Sequence, residues 1–238
     1  MLRKTVTSLI YCLVLLAVPS QAQTTCADYQ LLRENATYEL LSYNHKDKPT
    51  GRMTYHVKEV DRSGDKVQAT IHSQVYDDKG KLATEGDFKI GCEGGSIWMD
   101  MNSLMNQGQM GAQQNMEMTM QGDRMLYPSN LQAGQKLEDG IMTMEMKDKG
   151  NSQSMMTMVM KVTDRTVEGK ESIKVPAGTY DSYKIRYNTE MENRAMGMKM
   201  PGMHMETVEY FVPEVGVVRS EAYRNGKLQS YTVLSKIE

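Results

Sequence analysis

The chain has 238 residues and a formal charge of −2, with 28 basic and 30 acidic side chains. So small and evenly mixed a charge gives no electrostatic reason to expect a nucleic-acid partner. Only two Phe and one Trp stand against 23 Met, so something else must fill the interior, and methionine is a candidate filler in place of Leu and Phe.

The first 22 residues read as a secretory leader: Arg3 and Lys4, then the apolar run Leu9 to Val18, then Ser20-Gln21-Ala22 as a small-x-small cleavage site. A bilayer span needs roughly 20 apolar residues, so this run is too short to be one. The expected mature chain is 23–238, without an integral membrane segment, in the periplasm or outside the cell. Loss of the leader removes Arg3, Lys4 and Cys12, leaving 26 basic against 30 acidic residues and a charge of −4. Cys26 and Cys92 remain, and two cysteines in an exported chain suggest a disulfide. By the chain-entropy argument it would contribute about 4 kcal/mol. The alternative is a pair of buried thiols, and two sulfurs with scattered histidines do not make a zinc site.

The N-terminal third reads as an antiparallel meander. Alternating strands are expected over Thr37 to Tyr43, Arg52 to Val60, Val67 to Tyr76 and Leu82 to Ile90. The turn-rich stretches His45 to Gly51, Ser63-Gly64-Asp65 and Asp78-Lys79-Gly80-Lys81 separate them. Glu93-Gly94-Gly95 then turns into Ser96 to Met101. Asn102 to Gln114, rich in Asn, Gln, Met and Gly, reads as a loop or one short helix, since Gly108 and Gly111 weaken a longer one.

Alternation resumes at Asn115 to Gln121. The stretch 123–140 holds Pro128, Gly134 and Gly140, with at most a short strand near Leu126, and is the candidate sub-sheet boundary. Strands are expected again over Ile141 to Lys147, Met155 to Thr166, Glu171 to Val175 and Tyr180 to Glu192. Met205 to Val212, Val217 to Tyr223 and Leu228 to Leu234 complete the set. Asn225-Gly226 joins the last two as a tight hairpin, because both residues tolerate positive φ. The expectation is one all-β domain of curved antiparallel sheet, a half-barrel or barrel, with at most one short helix.

Methionine recurs at every second position: Met99 and Met101; Met116, Met118 and Met120; Met142, Met144 and Met146; Met156, Met158 and Met160; Met196, Met198 and Met200; Met203 and Met205. A period of two sets side chains on one face of a strand. Several strands therefore offer a thioether face to a core, a cavity or a soft metal.

Two motifs carry a family likeness. Val175-Pro176-Ala177-Gly178-Thr179-Tyr180 is followed by Tyr183, and later comes Val208-Glu209-Tyr210-Phe211-Val212-Pro213-Glu214-Val215-Gly216-Val217-Val218-Arg219. In this order they resemble exported bacterial β-domains of unknown function labelled TapB-like, from about Cys26 to Ile237. That resemblance implies a curved antiparallel sheet or pair of half-barrels outside the cytoplasm, and no catalytic residues. Gly178 and Gly216 then serve tight turns, and Pro176 a strand end where no ladder donor is needed.

Enzyme chemistry finds little support. His45, His56, His72 and His204 make no metal-binding sequence motif, although His56 and His72 fall in expected adjacent strands and could face each other as a cross-strand pair; no Gly-x-Ser-x-Gly elbow is present. Gly91-Cys92-Glu93-Gly94-Gly95 lacks the lysine and helix of a phosphate loop. The expectation is a non-enzymatic protein without a cofactor, its partner a hydrophobic small molecule or an envelope component. Unbranched thioethers adapt to varied apolar guests, so Trp98, Met118, Met144, Met158 and Tyr210 are the candidate apolar face for a lipid-like ligand. Trp98, Tyr127 and Tyr210 are candidates for lining or capping its mouth. The rival is a Cu(I)-binding or Cu(I)-buffering protein using Met198, Met200, Met203, His204 and Met205, since soft thioethers suit that ion.

Overall fold

The structure, a computed structural model, describes Cys26 and residues 29–100, 116–150 and 154–238, without the side chains of Met116 and Met118. The expected leader and the Asn102 to Gln114 stretch lie outside these residues. A single 3-10 turn, η1 (Gln30–Leu32), precedes the strands β1 (Thr37–Asn44), β2 (Pro49–Ser63), β3 (Lys66–Asp77), β4 (Leu82–Glu93) and β5 (Ser96–Asp100). Then come β6 (Met116–Gly122), β7 (Arg124–Tyr127), β8 (Gly140–Asp148), β9 (Ser154–Val175) and β10 (Gly178–Ala195). The chain ends with β11 (Met198–Val212), β12 (Gly216–Arg224) and β13 (Lys227–Ile237).

All of these strands belong to one antiparallel sheet, in the order β6-β8-β9-β10-β11-β12-β13-β1-β2-β3-β4-β5-β7. The first and last strands of that order are neighbours along the chain, with only Asp123 between them. One length of backbone therefore borders both edges, pairing Met120 with Met144 on one side and Met125 with Met99 on the other. This draws the sheet into a nearly closed barrel. β1 and β13 pair as well, with Tyr38 opposite Ile237.

The turn chemistry follows the sequence. Asn225 and Gly226 take φ of 52° and 71°, the double left-handed conformation of a two-residue hairpin. Two strands are longer than their sequence suggests. β9 runs unbroken from Ser154 to Val175, where Gly169 and the charges around it imply a gap. It tolerates them through two irregularities against β10, one beside Gly169 and one at Asp164–Arg165, which together oppose Tyr187 alone. β11 begins at Met198 rather than Met205 and carries Pro201 and Gly202 inside it. Its first part pairs with β10, and its partnership with β12 begins only at Glu206. A missing N–H at Pro201 thus costs no ladder bond on the β12 side.

One end of the barrel is plugged by the segment leading into β1. The Cys26–Cys92 disulfide ties this segment to β4 across a separation of 66 residues. Tyr29 donates its hydroxyl to the Gly95 carbonyl at 2.8 Å, the Gln30 N–H donates to the Glu214 carbonyl at 2.8 Å, and Arg62 donates to the Leu32 carbonyl at 3.0 Å. Leu31 presses on Gly216, where φ is 96° and a Cβ would lie 2.5 Å from Leu31 Cδ1, so the position accepts only glycine. Tyr29, Leu32, Val57, Val67, Cys92 and Ile97 are buried in the core without lining the barrel's cavity.

Candidate functional site

Above this plug the barrel does not fill. A cavity of about 550 Å³ remains, within the range typical of small-molecule sites. Its wall is drawn from nearly every strand, and Leu31 of the plug lines its floor. The lining is mostly apolar: Leu40, Met53, Ile71, Val75, Phe88, Met99, Met125, Met160, Val162 and Leu234 among others. The charged residues along it are all acidic: Glu85, Asp87 and Glu209. Asp87 is engaged by His72 at 2.7 Å and Lys58 at 3.0 Å, and Glu85 by Gln74 at 3.1 Å. Glu209, half-buried, is held instead by tyrosines of the barrel wall.

Glu209 sits on β11 opposite Ile185 of β10, two residues before Phe211, whose ring stacks on Tyr127 with centroids 4.7 Å apart. Tyr127 donates its hydroxyl to Glu209 Oε2 at 2.9 Å and Tyr187 donates to Oε1 at 2.7 Å. Each carboxylate oxygen thus accepts one bond and keeps acceptor capacity. Burial pushes the Glu209 carboxyl above the usual carboxylate range, although the two tyrosine bonds and the charge of Arg165 pull the other way. Burial and the neighbouring Glu209 together hold the Tyr127 and Tyr187 hydroxyls well above the ordinary phenol value, so both remain donors.

Arg165 supplies that balancing charge from behind the wall. It is 1% exposed, stands at the β9 irregularity, and spends Nη1 on the Glu138 carbonyl at 2.8 Å and Nη2 on the Leu126 carbonyl at 3.1 Å. Its guanidinium lies 5.0 Å from the centre of the Tyr127 ring. It does not line the cavity. Among the described residues no cation forms an ion pair with Glu209. Tyr38, also in the wall, has a buried hydroxyl with no hydrogen-bond partner among the described residues.

The methionine alternation becomes a two-dimensional grid. Across β6, β8, β9, β10 and β11, one row reads Gly122–Met142–Met160–Met191–Met203. The next reads Met120–Met144–Met158–Asn193–Met200, and the third Met118–Met146–Met156–Ala195–Met198. Residues directly opposite across antiparallel strands share a face, and Met160 lines the cavity, so the grid extends the cavity wall away from the plug. Exposure rises across it, from Met144 at 2% on β8 to Met198 at 67% on the part of β11 that pairs with β10 alone.

Met144 and Met158 therefore lie on the expected apolar face, beside the cavity rather than in its lining; the side chain of Met118 lies outside the described residues. Trp98 and Tyr210 face the other way. Trp98 alternates with the cavity residue Met99 and packs over Gly91, where a Cβ would come within 2.2 Å of its ring, with Arg124 stacked 4.0 Å above. Tyr210 alternates with Glu209 and lies under Lys184 on the outer surface. Tyr127 does line the cavity, at its floor rather than its mouth. Of the copper candidates, Met198, Met200, Met203 and Met205 share one face, since they oppose Ala195, Asn193, Met191 and Thr189. His204 pairs with Glu190 on the opposite face, and its Nδ1 stands 3.6 Å from the Glu190 carboxylate. No cluster of three or more His, Cys, Asp or Glu suited to a metal occurs among the described residues.

The sequence reading did not single out Glu209, Tyr187 or Arg165. A signal existed for the first: in Val208-Glu209-Tyr210-Phe211-Val212 an acid shares its strand face with Phe211, a buried residue. Arg165 gave none, because only the β9 irregularity brings it inward.

These features define a class: an antiparallel barrel, plugged at one end by a disulfide-tethered segment and hollow above it. Within that class the chain belongs to the DUF3108-like family, which matches residues 33–234. Two solved structures are similar to it. One, from Bacteroides fragilis, is described as an exported protein with a YmcC-like fold; it is 25% identical, with a TM-score of 0.66 over 87% of this chain and 96% of that one. The other, described as a lipoprotein from Parabacteroides distasonis, is 25% identical, with a TM-score of 0.67 over the same 87% and 96%. No curated protein matches. This is an exported protein of an uncharacterised family, as its first residues lead one to expect. Of the TapB-like resemblance, the likeness to exported β-domains of unknown function is what stands. No helix among the described residues is long and apolar enough to cross a membrane.

Proposed function

We propose that the protein is a non-enzymatic binder of an apolar, lipid-like molecule, held in the barrel cavity with its exposed part against the methionine grid. The supporting observation is the unfilled apolar space of about 550 Å³ above a tethered plug. A barrel that only needed stability would close that space, because each unfilled methyl-sized gap costs on the order of 1 kcal/mol. Thioethers suit such a wall, being flexible and polarizable enough to fit guests of varied shape. The test is titration of the purified mature protein with N-phenyl-1-naphthylamine, a neutral apolar fluorophore. Saturable one-to-one enhancement is expected, weakened at least tenfold by S73F, which puts a ring into the cavity wall. Enhancement that does not saturate, or that S73F leaves unchanged, contradicts the reading.

A second reading draws on the row Met160–Met191–Met203, three thioethers facing one another across neighbouring strands. Such a set suits Cu(I). Competition with a chromogenic Cu(I) chelator would then give stoichiometric binding that M191L abolishes, and absence of competition overturns it.

A further inference from the structure

The cavity floor carries chemistry that a plain apolar pocket has no use for. Glu209 is a carboxylate inside the barrel, and burying one is costly unless it is hydrogen-bonded or paired with a cation. Tyr127 and Tyr187 supply two hydrogen bonds, at 2.9 and 2.7 Å, without neutralising it. The nearby cation, Arg165, spends both its Nη groups on backbone carbonyls and reaches Glu209 through its charge, without an ion pair. None of the residues lining the cavity is Lys, Arg or His, whereas Glu209 lines it directly.

An entering molecule thus meets an apolar shaft that ends in hydrogen-bond acceptors already fixed in place by two rigid phenols. We infer that Glu209, held by Tyr127 and Tyr187, is a head-group site selecting apolar chains that end in an uncharged or cationic hydrogen-bond donor, an amine or a hydroxyl, over chains that end in a carboxylate. This rests on the cavity being the ligand site. The donor head goes to the floor, completing the open acceptor positions of Glu209, and the tail lies along Met99, Met125 and Met160 toward the methionine grid. A carboxylate head would place two like charges together where little water screens them. Discrimination by a buried charge-assisted hydrogen bond of this kind is worth a factor of ten or more.

The experiment displaces N-phenyl-1-naphthylamine from the full mature protein with dodecylamine, dodecanol and dodecanoate at pH 7.5, each below its micelle threshold. The expected result is displacement by the amine and the alcohol at concentrations at least tenfold lower than by the carboxylate. E209Q is expected to bring the three to within about twofold of one another. Equal displacement by all three heads on the wild-type protein, or preference for dodecanoate, overturns the head-group site while leaving the cavity as a chain-binding site. A fluorophore that never binds removes both. The wild-type comparison needs no variant, so a poorly folding E209Q does not protect the inference.

Discussion

Glu209 is where the sequence and the fold pull hardest against each other. The strand pattern that makes β11 also delivers an acid to the interior, and the barrel answers with two tyrosine donors and an arginine behind the wall instead of an ion pair. Burial raises the carboxyl of the folded protein above its unfolded value, so between the two the folded state holds more protons. Stability therefore falls as pH rises through that interval, and the loss is complete above the folded value. E209Q has no such titration. The wild-type thermal midpoint is expected to drop relative to that of E209Q as pH is raised from below the ordinary carboxylate range to neutrality, the two curves drawing together in acid. Curves that stay parallel across this range would show that the carboxyl is not perturbed. The pattern of β11 identified the strand from a short apolar run, but the cost and partners of its acid depend on Tyr127 and Tyr187, which only the folded sheet brings to it.

Among the elements, alternation and turn chemistry located most strands within a few residues, because each strand has one face on the core. Reading failed where a second irregularity was tolerated. The gap expected between Thr166 and Glu171 is absorbed by β9 as a bulge at Gly169, and the residues before Met205 belong to β11, paired with β10 but not with β12. Faces were harder still: Trp98 looks like a cavity residue until the register puts Met99 inside and the indole outside over Gly91. G91V would drive a side chain into that ring and the Val67 carbonyl, and should destabilise by about 1–3 kcal/mol, the usual range for overpacking. Trp98 is the one tryptophan in the chain, so its emission should shift in the folded variant. Unchanged stability with unchanged emission would mean that the indole does not pack there. The plug gives a second expectation at this scale. Reduction of Cys26–Cys92, or C92S, should lower stability by about 2–5 kcal/mol in denaturant unfolding, and weaken ligand retention because Leu31 forms part of the floor. Retention unaffected by reduction would separate the plug from the site.

At the scale of the whole molecule, closure follows from one short piece of chain, β6 and β7, that borders both ends of the sheet order. Nothing in the residues of 116–127 marks them for that role, since each half alone is an ordinary short strand; the barrel is a property of pairing over long separations. The methionine period, by contrast, was visible from the start. What the register adds is that rows from five strands coincide on one face and run into a hollow interior. The account stands on that hollow being a ligand site. Its most direct test is a methionine-methyl NMR titration of the labelled mature protein with N-phenyl-1-naphthylamine, where Met53, Met99, Met125 and Met160 line the cavity and Met196 is 62% exposed. Saturable shifts are expected at the four cavity methyls with Met196 unmoved. Shifts confined to surface methionines such as Met196, with the four unmoved, would contradict it.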